Sequence, residues 1–334
     1  MEDEMLKIGK LDNDLLKKIV FDKITYKRPE VLARPGIGED CAVLDFGEYE
    51  CAVSSDPITA AISQIGSLAV NISCNDVASN GVVPMAMIMT ALFPAGTTED
   101  DIEDVMEQAG AAAAELEVEI AGGHTEITDT VARPVIVSTV LGRCVKGTGA
   151  DARNMVPGDY ILMTKTAGIE GTGLIACDHE EKIADMFSTD ELKFAKALLS
   201  CVSVVSEGII AGCAGTHGMH DITEGGVLGA VWEMCRAGGT GAEVYTDEIP
   251  VLAVTVKICA RLGLDPLRLI SSGSMLIIAP ERTRDMIEGS LAEENIRVTC
   301  IGRILPQEDG IRDREGNEIA PPAEDEIYKV TSGR

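Results

Sequence analysis

Four aspartates, Asp40, Asp56, Asp76 and Asp221, stand where their chemistry is conspicuous. The spacing from Ile62 to Asn80 predicts a helix, and at 100° per residue Ile62, Ile65, Ala69 and Ile72 share an arc of about 80° into which Asp76 also falls. An ionised carboxylate on an apolar face costs several kcal/mol unless it is paired, bound to metal or open to a cleft. Asp40 follows Gly36-x-Gly38 and precedes an expected strand, Asp56 ends one before Pro57, and Asp221 leads through Ile-Thr-Glu into Gly225-Gly226. Strand ends are where α/β proteins commonly keep ligands, although each aspartate alone also suits an ordinary turn or cap. Taken together they predict a shared Mg2+ site, since that ion takes oxygen ligands from a few carboxylates and from substrate phosphates.

Three glycine-containing segments add candidate anion contacts: Gly122-Gly-His-Thr125, Gly225-Gly226 at an expected helix start, and Lys165-Thr-Ala-Gly-Ile-Glu-Gly-Thr172. Glycine lets backbone N–H groups approach phosphate closely, and a helix start favours negative charge. None of the three matches a Walker loop or a dinucleotide fingerprint, and an ordinary tight turn reads the same way. His124 is a candidate proton donor or phosphate contact, or a loop hydrogen bonder, and Lys165 is a candidate cation for a transferring phosphoryl group. His217-x-x-His220 has metal spacing only on a helix, which Gly215 and Gly218 disfavour, so both histidines read as structural.

The elements that must carry these residues alternate strand and helix. A helix is expected over Lys7–Ile24, a hairpin from Cys41–Phe46 and Cys51–Ser54 about Gly47, a strand over Met85–Phe93, a helix over Glu99–Leu116, short strands flanking Gly122-Gly123, and a strand over Val135–Leu141. The turn-rich Lys146–Gly158 stretch sets an expected boundary between domains 1–150 and 151–334. Beyond it, strands are expected at 160–164, 242–245, 274–279 and 298–304. Helices are expected at 189–199, 202–211, 227–237, 251–262 and 281–294, and the tail from Pro306 shows no periodicity. The class is α/β or α+β.

The chain has 334 residues, enough for two domains of ordinary size, and 28 Lys plus Arg oppose 55 Asp plus Glu. A formal charge of −27 repels nucleic acid and anionic membranes, so neither is an expected partner. The same excess means that a nucleotide needs metal or backbone N–H groups to be held. Ten cysteines without a C-x-x-C pair read mostly as small buried residues of a reducing compartment. The acidic Met1-Glu-Asp-Glu-Met5, with no cleavable apolar stretch after it, places the chain in the cytoplasm.

The ordered set Gly36-Ile-Gly-Glu-Asp40, Ser54-Ser-Asp-Pro57, Asn75-Asp76, Gly81-x-x-Pro84, Gly122-Gly-His-Thr125, His220-Asp-Ile-Thr-Glu-Gly-Gly226 and Ser271-Ser-Gly-Ser274 resembles the aminoimidazole ribonucleotide synthetase (PurM-like) superfamily, over about Gly9 to Pro306. Asn75-Asp76-Val-Ala-Ser-Asn-Gly81 and Lys165–Thr172 resemble its hydrogenase maturation branch, HypE. The resemblance implies a two-domain PurM-like fold, a homodimer whose N-terminal sheets join in a barrel-like interface, a C-terminal α/β domain, and ATP bound with Mg2+. It implies Asp40, Asp56, Asp76 and Asp221 as metal and phosphate ligands. Gly36, Gly38, Asp40, Asn75, Gly122, Gly123, Thr125, Gly225 and Gly226 are the implied nucleotide contacts.

The implied reaction is phosphorylation of an amide- or carbamoyl-like oxygen on a small-molecule or protein-borne acceptor, with a maturation-complex protein as a partner. Two features depart from the named members. HypE ends in a carbamoyl-accepting cysteine where this sequence reads Thr331-Ser-Gly-Arg334, and selenophosphate synthetases carry a reactive Cys or selenocysteine within the stretch that is cysteine-free here, residues 1–40. Gly-Gly-His-Thr is nearer the selenophosphate form. A nucleotide-binding partner protein with reduced turnover, a small-molecule kinase and a selenophosphate synthetase-like enzyme are the alternatives.

Overall fold

Long strands buried on alternate residues build the first of two sheets in the computed structural model, which describes residues 6, 9–11, 13–59, 61–322 and 324–331. Lys7 and Ile8, at the start of the first expected helix, and Ser332-Gly-Arg334 lie outside the described residues. That helix is short, α1 (Asn13–Ile19), and none of its residues is buried. The strands β1 (Val31–Ala33), β2 (Ala42–Asp45) and β3 (Tyr49–Ile58) follow. After α2 (Ile65–Ser79) come β4 (Pro84–Pro94), α3 (Glu99–Glu115), β5 (Glu119–Thr128) and β6 (Val135–Val145). The sheet order is β1-β2-β3-β6-β4-β5, antiparallel except for the β4–β5 pair, which α3 connects.

Glycine 47 turns the expected hairpin, with Asp45 Oδ1 accepting its N–H at 2.8 Å. Strand β3 runs further than its sequence suggested. Asp56 pairs with Ser138 inside the ladder rather than ending the strand, and Pro57 sits opposite Val137. Strand β6 has one buried face, including Ile136 and Val140, over which α2 packs, with α3 lying against α2. Thr98 and Asp101 form a reciprocal capping box at the start of α3. Ile62, expected on the buried arc, lies before α2 and is exposed, while α2 itself is buried on nearly every side because it also packs against the second half of the chain.

The second sheet uses β7 (Tyr160–Thr164), β8 (Gly218–Asp221), β9 (Gly241–Val244), β10 (Met275–Ala279), β11 (Val298–Leu305) and β12 (Ile311–Asp313), in the order β12-β9-β11-β7-β10-β8. Its helices are α4 (Ile169–Asp178), α5 (Thr189–Ala197), α6 (Val205–Ala214), α7 (Gly226–Gly238), α8 (Ala253–Leu262), α9 (Arg284–Glu293) and the four-residue α10 (Tyr328–Thr331). Val227, Val231 and Met234 of α7 pack on one face of this sheet, and Ala211, Ala214, Ile287 and Leu291 of α6 and α9 on the other.

Four elements here, α4, β8, β12 and α10, were not evident in the sequence. Helix α4 occupies the segment read as a glycine turn. It is buried all round, Glu170 and Thr172 included, so no amphipathic period marks it, and its Gly171 and Gly173 make room for Leu269 and Leu199. Strands β8 and β12 are too short for a period to declare itself. Beyond Pro306, β12 pairs in parallel with β9, and Ile327, Tyr328 and Val330 are buried. Two contacts set up the site: α2 lies against α6 and β8, and Gly208 of α6 comes so near that a Cβ there would fall 2.2 Å from the Ala78 carbonyl oxygen. No single helix among the described residues is long and apolar enough to cross a membrane.

Candidate functional site

Four separate segments bring their acids to the junction of the two halves. Asp76 projects from the fourth turn-length of α2, Asp56 from β3, Asp221 from the end of β8, and Asp40 from the loop before β2. The Ser54 hydroxyl stands 2.7 Å from Asp76 Oδ2 and 3.1 Å from Asp56 Oδ2, its one hydrogen shared between two carboxylates. Ser79, a turn after Asp76, accepts the Asp221 N–H at 3.1 Å and lies 3.3 Å from Asp221 Oδ1. The Asp40 loop is admitted by Gly38, whose φ is +73° and where a Cβ would fall 2.7 Å from the Glu233 carbonyl oxygen of α7.

The cluster is electrostatically loaded. Burial pushes the Asp76 carboxyl well above the usual carboxylate range, and Asp221, Asp56 and Asp40 add to the effect. Burial likewise raises Asp221, with Asp40 and Asp56 reinforcing it and His220 and Lys10 opposing. His220 Nδ1 lies 2.7 Å from Asp40 Oδ1 and Nε2 lies 3.4 Å from Glu233 Oε2. Burial works against a charged His220, but these two carboxylates outweigh it and hold its pKa well above that of free imidazole. Lys10 keeps surface open to solvent in the cleft. Crowding there works against its charge, yet Glu233, Glu224, Asp56 and Asp221 outweigh it and hold its pKa raised.

These residues suit a divalent cation. Asp221 is 1% exposed, and its Oδ2 has no hydrogen-bond partner among the described residues. Ligand atoms of Asp40, His220 and Asp221 all lie within 4.8 Å of one another. A buried carboxylate oxygen with no donor is costly, and a bound cation would satisfy it. The cluster opens into a cleft of about 1180 Å3 whose walls include Gly36, Gly38, Asp40, Asp56, Lys10 and Glu224, with Pro322, Asp325 and Tyr328 along one side. That space accommodates a nucleotide-sized ligand.

Other expected site residues are engaged elsewhere. Asn75 is buried and both ends of its amide are used: Nδ2 donates to the Val202 carbonyl and Oδ1 accepts the Val204 N–H, each at 2.8 Å. It clamps α2 to the segment before α6 instead of facing the cleft. The N–H of Gly225, expected to meet phosphate, donates to Asp325 Oδ2 at 2.6 Å, and Gly226 N–H donates to the Thr223 carbonyl at 3.1 Å. Asp325 also accepts from Ile270 and Ile327, so a carboxylate of the chain itself already fills the start of α7. Lys165 pairs with Glu207 at 2.7 Å and donates to the Ser203 carbonyl at 2.6 Å, which ties it to α6.

Gly122, Gly123, His124 and Thr125 are exposed on β5, the edge strand, rather than in a loop at a strand end. A Cβ on Gly123 would fall 1.8 Å from the Met89 carbonyl oxygen, so close pairing with β4 explains this glycine. His124 Nε2 lies 3.2 Å from Glu126 Oε2. His217 pairs with Asp159 at 2.7 Å, as the structural reading of that histidine expects. His220, by contrast, lies in the acid cluster. Sequence reasoning missed it along with Lys10, Glu233 and Asp325; only the adjacency of His220 to Asp221 was a signal. Among the cysteines, Cys41, Cys74, Cys235 and Cys259 are buried, whereas Cys201 and Cys213 are exposed and the rest half-buried, fewer in the core than their apolar character suggested.

Comparison with known proteins gives matches over most of the chain. Residues 38–144 match the N-terminal domain, and residues 156–313 the C-terminal domain, of AIR synthase related protein. The carbamoyl dehydratase HypE of Bradyrhizobium diazoefficiens is 28% identical over 260 residues, 75% of this chain and 72% of that protein. A HypE–HypF complex structure superposes with a TM-score of 0.74 at 21% identity, covering 92% of this chain and 99% of that one. A structure of HypE in complex with ATP gives 0.71 at 22% identity, covering 96% and 97%. At such identities the two structures establish a shared fold.

Proposed function

The chain belongs to the AIR synthase related protein family, and from that premise we propose that it is an ATP- and Mg2+-dependent enzyme of the HypE type, acting on an amide- or carbamoyl-like oxygen in hydrogenase maturation. The observation that carries this reading is the convergence of Asp40, Asp56, Asp76 and Asp221 beside a nucleotide-sized cleft, with one buried Asp221 oxygen unsatisfied. Without a cation, these acids repel a triphosphate. Asp40, Asp56, Asp76 and Asp221 are the residues to hold Mg2+, which when bound neutralises phosphate charge and polarises the transferring phosphoryl group.

The chain's own groups then have defined tasks. Gly36 and Gly38 let the loop backbone lie along the cleft wall, and Lys10 adds a cation where Glu233 and Glu224 face it. The acceptor oxygen takes the γ-phosphoryl group of ATP, releasing ADP; the C–O bond then breaks to release phosphate while the adjacent nitrogen gives up its protons and forms a C≡N bond, a net dehydration of a carbamoyl or amide group. Gly122, Gly123, His124 and Thr125 enter this scheme through a homodimer. Strand β5 is an edge strand among the described residues, and Ile88 and Ile127 expose apolar side chains nearby, so a second copy paired there is positioned to share them. Residues 1–150 and 151–334 are the two domains of this reading, and a carbamoyl-carrying maturation protein is the expected partner.

Phosphate release from ATP, measured with Mg2+ and with carbamoylated and amide acceptors, tests the proposal. Acceptor-dependent inorganic phosphate supports it. A stable phosphorylated product favours a kinase, and tight ATP binding with no turnover favours a partner protein; either result rejects dehydration.

A further inference from the structure

The acid cluster contains one nitrogen donor that an all-oxygen Mg2+ site does not call for. His220, on β8, is buried, and ligand atoms of Asp40, His220 and Asp221 lie within 4.8 Å of one another. Ligand atoms of an ion bound at about 2.0–2.2 Å stand roughly 3–4.4 Å apart, so atoms within 4.8 Å of one another close round one ion after a modest inward shift. The two ring nitrogens have different surroundings: Nδ1 lies 2.7 Å from Asp40 Oδ1, within the cluster, and Nε2 lies 3.4 Å from Glu233 Oε2, outside it. A metal-binding histidine commonly gives its second N–H to a carboxylate, which fixes the ring, and Glu233 of α7 stands in that position. Asp221 supplies the independent sign of a missing ligand, because its buried Oδ2 has no hydrogen-bond partner among the described residues.

The geometry points to a divalent-cation site made by His220 Nδ1, Asp40 and Asp221, with Glu233 orienting the ring, that takes a borderline first-row ion such as Mn2+ in preference to Mg2+. Imidazole adds little affinity for Mg2+, a hard ion that prefers oxygen, whereas mixed nitrogen and oxygen sets favour the transition ions. Asp56 and Asp76 remain beside this site as an all-carboxylate pair suited to Mg2+ and nucleotide phosphates. The inference shares Asp40 and Asp221 with the proposed function but needs no nucleotide.

The test uses the intact chain, stripped with EDTA and titrated with MnCl2 or MgCl2 alone. The expected result is one Mn2+ per chain, bound at least about tenfold more tightly than Mg2+, with pulsed electron paramagnetic resonance showing nitrogen coupling from a single imidazole. His220→Gln is expected to abolish that coupling and cut Mn2+ affinity at least about tenfold while Mg2+ affinity holds or rises. Glu233→Gln is expected to keep the coupling and lose about tenfold in Mn2+ affinity. Absence of nitrogen coupling in the wild-type protein, or equal affinity for the two ions, overturns the assignment and leaves His220 as an imidazolium counter-ion to Asp40 and Glu233. The wild-type spectrum decides the matter even where a variant fails to fold. Mn2+ coupling without ATP turnover sinks the proposed function alone, and Mg2+-dependent turnover without coupling sinks only this inference.

Discussion

Replacing Asp76 with Asn is expected to stabilise the metal-free protein, the opposite of the usual effect of altering a buried hydrogen-bonded residue. The Ser54 hydroxyl lies 2.7 Å from Asp76 Oδ2 and 3.1 Å from Asp56 Oδ2, so these two carboxylate oxygens are at most about 6 Å apart. At that distance, with an effective dielectric constant of about 20, two negative charges repel by about 3 kcal/mol. Asp56 is only half-buried, so about 2 kcal/mol is the reasonable net figure. Asn keeps an acceptor for Ser54 and can donate to a neighbouring acid. Because burial and nearby acids raise the Asp76 pKa, the folded protein holds that proton more tightly than the unfolded chain does. Wild-type stability therefore falls as pH rises above the ordinary carboxylate value, and the advantage of Asn opens above about pH 4.

The assay is chemical or thermal unfolding at pH 8 in EDTA and again with Mg2+ and ATP. Metal at a hundred times its dissociation constant stabilises the wild-type protein by about 2.7 kcal/mol, and Asp76→Asn is expected to gain less than about 1 kcal/mol. A variant less stable than wild type in EDTA, or one that gains as much from Mg2+ and ATP, would refute the picture of acids held in unrelieved repulsion.

Three further outcomes follow from single contacts. Burial lifts Glu170, in the first turn of α4, from 4.5 to about 7, so wild-type stability declines as pH rises through that interval; Glu170→Gln should remove up to about 3 kcal/mol of the difference between urea melts at pH 5 and pH 8 in EDTA, and an unchanged difference counts against it. Gly38→Ala places a Cβ 2.7 Å from the Glu233 carbonyl at a positive φ, and should cost about 1–3 kcal/mol and weaken Mg2+-dependent nucleotide binding in calorimetry; wild-type affinity would show that the loop does not need this approach. Lys165→Met strands the buried Glu207 carboxylate and should lower stability by about 3–5 kcal/mol, part of which Lys165→Met with Glu207→Leu restores; loss of turnover at wild-type stability would instead assign Lys165 to the chemistry.

Local pattern in the chain determined a good deal. The β-branched run Val135–Leu141, the glycine turn at Gly47 and the apolar arc around Asp76 all act within a few residues, and they marked a strand, a hairpin, a helix and one misplaced acid. Ordered motifs added the PurM-like fold. Tertiary structure decided what those motifs touch. Asp40, Asp56, Asp76 and Asp221 meet because α2 lies between the first sheet and the α6 and β8 elements of the second half, and His220 joins them because the short β8 sets it opposite the Gly38 loop. The same long-range packing gave the Gly225 N–H to Asp325, the Asn75 amide to Val202 and Val204, and Lys165 to Glu207. Hydrogen bonds and ion pairs between distant segments depend on which groups the folded chain brings within reach, and no period or spacing along one strand or helix carries that information.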